Sequence, residues 1–126
     1  MRTSVLLVDD SPTFVDRARA TLERGDLEVV GTADTGVAAL AEAVRLQPAA
    51  ILVDVQLGPE SGFDVVRRMA QDERLQNSTL ILMSTCHEDE LRDLLDATPA
   101  SAFLHKLDLT PSRVLEVRQR AEGRAG

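Results

Sequence analysis

Five short apolar runs punctuate the chain, and between them apolar residues recur at helical spacing. Val5-Leu6-Leu7-Val8, Leu27 to Ala33, Ala50 to Val53, Leu80-Ile81-Leu82-Met83 and Ala102 to His105 are too short for helices. The continuous branched-aliphatic runs among them predict strands buried on both faces of a parallel sheet. Ser11-Pro12 starts a helix with Phe14, Ala18 and Leu22 on one face, and Gly25 closes it. Asp34 or Thr35 caps a second helix with Val37, Leu40, Ala41 and Val44 as its apolar stripe. A loop from Leu57 to Gly62, given backbone freedom by Gly58 and Gly62, leads to a third helix with Phe63, Val66 and Met69 inward. A fourth helix spans about Glu88 to Ala97 with Leu91, Leu94 and Leu95. Thr110-Pro111 opens a fifth, with Val114, Leu115 and Val117 toward the core, that fades near Ala121-Glu122. Strand and helix alternate five times, so the expected class is α/β, with helices on both faces of one sheet.

A length of 126 residues suits one domain, expected to occupy 1–126 with no output domain. Acidic residues outnumber basic ones, 21 to 14, and no basic stretch stands out, which argues against direct nucleic-acid binding. The single Cys86 cannot form an internal disulfide, no signal-peptide core opens the chain, and no apolar stretch is long enough to span a bilayer. The expectation is a cytoplasmic protein without a membrane partner.

The chemistry gathers at the ends of the predicted strands. Asp9-Asp10 follow the first, Asp54 the third, Ser84-Thr85 the fourth and Lys106 the fifth. In an open parallel sheet these positions line one crevice. Three carboxylates there repel one another unless they share a cation, and a hard divalent ion keeps coordination positions for phosphate oxygens. A carboxylate can attack phosphorus and carry the group as an acyl phosphate, while a lysine and a hydroxyl neutralise and hydrogen-bond the remaining oxygens. His87 and His105 lack metal-ligand spacing with each other or with Cys86, and read as packed or solvated. The run Glu88-Asp89-Glu90 suits a first helical turn. Arg113, Arg118, Arg120 and Arg124 read as a solvated face.

Taken together, Asp9-Asp10, Asp54 after Ile51-Leu52-Val53, Gly62, the hydroxyl after Leu80 to Met83, and Lys106 after Phe103-Leu104-His105 resemble the receiver domain of bacterial two-component response regulators over nearly the whole chain. The resemblance implies a flavodoxin-like (βα)5 three-layer sandwich with a five-stranded parallel sheet of order 2-1-3-4-5. It also implies that Asp54 is the phosphoacceptor. Asp9, Asp10, Asp54 and the Gln56 backbone carbonyl would hold Mg2+ or Mn2+, and Lys106 would contact the phosphoryl group. Ser84, thirty residues after Asp54 and twenty-two before Lys106, is the switch hydroxyl by family spacing, with Thr85 as the alternative. Phe103 stands where receivers carry a switching aromatic, a role weighed evenly against ordinary core.

Two positions depart from the family pattern. Leu107 replaces the proline that commonly follows the lysine, so a trans bond is expected there, and Pro59 lies one place later than usual. The implied partners are a histidine kinase or phosphotransfer protein, and a downstream protein on the face of the fourth helix, fifth strand and fifth helix; a homodimer through that face is equally open. The implied activity is self-catalysed phosphoryl transfer and hydrolysis, not an enzyme's turnover. The alternatives are a Mg2+-dependent small-molecule phosphatase with Asp54 as nucleophile, for which the Val55 to Ser61 loop is short of a cap, and a receiver-like adaptor that is never phosphorylated.

Overall fold

The computed structural model describes residues 2–125. Its sheet comprises β1 (Thr3–Val8), β2 (Leu27–Ala33), β3 (Ala50–Asp54), β4 (Thr79–Ser84) and β5 (Ala102–His105). These pair in the order β2-β1-β3-β4-β5, all parallel. The helices are α1 (Pro12–Leu22), α2 (Gly36–Leu46), α3 (Gly62–Ala70), α4 (Arg92–Ala97) and α5 (Pro111–Ala125). Because successive strand residues point to opposite faces, Leu6, Val8, Ile51, Val53 and Leu82 join α2 and α3 in one core layer. Val5, Leu7, Leu52, Ile81 and Met83 join α1 and α5 in the other. The central strands are therefore sealed on both sides, each buried aliphatic contributing roughly 1.5–3 kcal/mol of transfer energy. This is the flavodoxin-like three-layer sandwich expected, and it brings the ends of β1, β3, β4 and β5 to one edge.

Local signals set the helix starts. The Ser11 hydroxyl accepts the Phe14 N–H to cap α1, and the Thr35 hydroxyl accepts the Ala38 N–H to cap α2, so Thr35 rather than Asp34 is the cap. The α2 stripe is not the one expected. Val37 is 76% exposed and Ala41 is exposed, Leu40 and Val44 are half-buried, and Gly36, Ala39 and Ala43 face the sheet. Small residues let the helix backbone approach the strands, which leaves the larger ones at the rim. The fourth helix also differs: Glu88–Leu91 form a 3₁₀ turn and only Arg92–Ala97 are α-helical, with no residue of either buried. The fifth helix runs to Ala125 instead of fading near Ala121, with an Arg118–Glu122 pair at 2.9 Å and an Arg120–Glu116 pair along it.

Between β3 and α3 the expected loop is a tight hairpin, Gln56–Leu57 against Glu60–Ser61, turning at Gly58 with φ +60°. Gly58 thus supplies the backbone freedom expected of it. Gly62 does not: its φ is not positive, and its role is space. A Cβ there would meet the Asp54 carbonyl oxygen at 1.9 Å.

Candidate functional site

Asp9 follows β1, Asp54 ends β3, Ser84 ends β4 and Lys106 follows β5, so the crevice forms as expected. Carboxylate oxygens of Asp9, Asp10 and Asp54 lie within 4.8 Å of one another. Asp9 and Asp54 are buried, and Asp10 is exposed. The Lys106 ammonium reaches in from β5 to stand 2.7 Å from Asp9 Oδ2 and 3.2 Å from Asp54 Oδ2, with its flank 4.2 Å from the centre of the Phe14 ring. Asp54 Oδ1 accepts the Gln56 N–H at 3.3 Å. Asp9 Oδ1 accepts the Ser11 N–H at 2.8 Å, tying the carboxylate to the start of α1. The approach of Lys106 to Asp9 Oδ2 is an ion pair without hydrogen-bond alignment, which leaves that buried oxygen short of a donor.

The charges do not balance. Three carboxylates and one ammonium leave a formal excess of two negative charges in a half-enclosed pocket. Burial pushes the Asp54 carboxyl above its ordinary range; Lys106 opposes that shift and the Asp9 charge reinforces it. Burial pulls the Lys106 ammonium down, but Asp9 and Asp54 outweigh it and hold the ammonium above its ordinary range. An all-oxygen donor set and a net deficit of two positive charges together fit a hard divalent cation.

A cavity of about 560 Å³ opens over this centre, lined by Asp10, Asp54, Gln56, Ser84, Thr85 and Lys106 among others. Of the two candidate hydroxyls, Ser84 is buried at the strand end and its Oγ accepts the Cys86 N–H at 2.9 Å, whereas Thr85 is exposed. Phe103 is not brought to the cavity. It is half-buried in β5, packs against the α2–α3 core layer and lines a separate cleft with His87 and Leu107. No cis peptide bond occurs among the described residues, so Lys106–Leu107 is trans as expected.

Four contacts escaped the sequence reading. Glu60 Oε2 accepts the Gly36 N–H at 2.7 Å, linking the hairpin after Asp54 to the start of α2. Phe14 packs against the α1–α5 core layer as expected, and also flanks the lysine. The rings of His87 and His105, read as packed or solvated, lie 5.3 Å apart. Arg118 is not a solvated arginine; it donates to the Asn77 carbonyl at 2.6 Å and to the Thr79 hydroxyl at 3.0 Å, while the Arg124 side chain falls outside the described residues.

The comparisons with known proteins agree with this geometry. The model of the response regulator receiver domain matches residues 5–114. A protein-glutamate methylesterase/protein-glutamine glutaminase of Alkalilimnicola ehrlichii is 32% identical over 118 residues, covering 93% of this chain and 28% of that protein. The DNA-binding dual master transcriptional regulator RpaA of Synechocystis is 32% identical over 80 residues, covering 64% of this chain and 33% of that protein. The chain thus spans 28 to 33% of the length of these curated relatives. Among solved structures, the chemotaxis response regulator CheY4 of Vibrio cholerae superposes with a TM-score of 0.78 at 27% identity, covering 96% of this chain and 99% of that one. Among the described residues, no helix is long and apolar enough to cross a membrane.

Proposed function

This chain belongs to the response regulator receiver domain family of two-component systems, and we propose that it takes a phosphoryl group onto Asp54 from a histidine kinase or phosphotransfer protein and signals through protein contacts. The observation that carries this reading is the clustering of Asp9, Asp10 and Asp54 around Lys106 with a deficit of two positive charges, at a cavity that Asp10, Asp54 and Lys106 line. Asp9, Asp10, Asp54 and the Gln56 carbonyl would hold Mg2+ or Mn2+, which when bound neutralises the carboxylates and draws the phosphate oxygens of the donor into place.

A carboxylate oxygen of Asp54 attacks phosphorus in line with the donor's P–N bond. As the new P–O bond forms, the P–N electron pair leaves with the donor imidazole, which takes a proton, and Asp54 becomes an acyl phosphate. Lys106, already beside Asp54, pairs with the phosphoryl oxygens, and Ser84 is the hydroxyl placed to hydrogen-bond them. Water later cleaves the acyl phosphate. The domain is read as acting in the cytoplasm. Its downstream partner would dock on α4, β5 and α5, where Leu94 of α4 is 53% exposed and Leu107, 87% exposed, lines a cleft of about 410 Å³; a second copy of the chain is the other occupant of that face. A phosphatase reading gains nothing here, because the chain between Asp54 and Gly62 is spent on a two-residue-per-strand hairpin.

The test is incubation with Mg2+ and acetyl phosphate followed by intact mass measurement. A single phosphoryl adduct, removed by hydroxylamine and absent from Asp54→Asn, is expected. An adduct that survives in Asp54→Asn moves the acceptor elsewhere, and turnover of many equivalents of a simple phosphoester makes the protein an enzyme.

A further inference from the structure

His105 sits at the end of β5, directly paired in register with Ser84 at the end of β4. Its ring is held from both sides. Nε2 lies 2.8 Å from the Thr85 carbonyl oxygen, which can only accept, so Nε2 carries the proton. Nδ1 accepts the backbone N–H of Leu107 at 3.1 Å, so Nδ1 is bare. The two bonds fix a neutral imidazole in a single tautomer. The second exists because residue 107 is not proline, which has no N–H to give.

The two partners flank the phosphoryl site. Thr85 follows the candidate switch hydroxyl Ser84, and Leu107 follows Lys106. At rest the Ser84 Oγ is turned to its own loop, accepting the Cys86 N–H. Any movement of Ser84 toward a phosphoryl oxygen on Asp54 carries the Ser84–Cys86 segment with it, and the Thr85 carbonyl held by His105 opposes that movement. Resting on the reading of Asp54 as acceptor, we propose that His105 is a positioning residue that clamps the hydroxyl loop in its resting place through Thr85, using Leu107 to set the tautomer that makes the clamp. Releasing the clamp raises the population of the phosphorylation-competent loop and so the rate of phosphorylation by a small donor.

Three substitutions separate the parts. His105→Phe keeps the ring and removes both bonds. His105→Asn keeps an acceptor near the Nδ1 position for Leu107 but cannot reach Thr85, and His105→Gln keeps a donor near the Nε2 position for Thr85. The readout is the initial rate of adduct formation on Asp54 with Mg2+ and acetyl phosphate, with thermal unfolding measured alongside. We expect His105→Phe and His105→Asn to react roughly 2- to 10-fold faster than wild type, the range set by one hydrogen bond, and His105→Gln to fall back toward the wild-type rate. A general loosening of structure would not spare Gln while releasing Asn. Equal rates in all four proteins, or slower ones in Phe and Asn, overturn the clamp while leaving Asp54 as acceptor intact; no adduct on wild type overturns both. Should the variants fail to fold, long-range 1H–15N correlations of the wild-type imidazole decide the matter. An Nε2–H tautomer whose signals shift on adding acetyl phosphate supports the clamp. The other tautomer, or no shift, removes it.

Discussion

The acceptor side of the sheet and the α4–β5 side are built to different standards. All of β3 is buried, and α3 sinks Gly62, Phe63, Val65, Val66 and Met69 against it; α4 buries nothing, and β5 buries only Leu104. Asp54 is therefore fixed by a packed strand behind it and by Gly62 pressed against its carbonyl. Ser84 and Lys106 instead lead into segments that open at little cost, since few buried contacts hold them. A site that must receive a group and report it gains from this division: one wall stays, and the other answers.

The sharpest way to break the contrast is Gly62→Val. With 1.9 Å between a Cβ and the Asp54 carbonyl oxygen, we expect a loss of about 4 kcal/mol or more and no cooperative thermal transition by circular dichroism; a variant that melts normally would show that the acceptor wall yields. Next, Ile51→Ala in β3 should cost about 2–5 kcal/mol in urea unfolding. Lys106→Ala should slow phosphorylation of Asp54 by acetyl phosphate roughly 100-fold, and an unchanged rate would remove the lysine from the responding wall. Asp54→Asn has a smaller effect of opposite sign. The folded protein holds the Asp54 proton more tightly than the unfolded chain, so without divalent cation its stability falls as pH rises from the unfolded value of 3.8 through the raised folded one. In a chelator at pH 7, Asp54→Asn should melt higher than wild type, with Mg2+ narrowing the gap. Smallest of all, Leu94→Ala should shift stability by no more than about 0.5 kcal/mol. A loss matching that of Ile51→Ala would erase the difference between the two sides.

Strand positions were legible because burial on both faces demands uninterrupted aliphatics, and Asp9, Asp54 and Lys106 were legible because strand ends converge whatever the helices do. The α2 face was not. Apart from Glu42 and Arg45 that helix is apolar or small nearly all round, so periodicity points equally to Val37 and Leu40 or to Gly36, Ala39 and Ala43, and the closeness of the sheet decides for the small set. Nor was the break at Leu91 in the fourth helix legible, since Glu88-Asp89-Glu90 suits a 3₁₀ turn as well as an α-helical one. The contacts of His105 and Glu60 join residues distant in the chain through backbone atoms, whose identity no side-chain pattern encodes.

The ammonium between Asp9 and Asp54 has a last consequence. Lys106 is an internal competitor: a charge anchored by its own strand, present at a high effective concentration, and unable to diffuse away. Any ion entering the crevice must share the carboxylates with it, so affinity is set by the difference between two cations. Until such an ion arrives, Lys106 supplies part of the positive charge that the carboxylates lack.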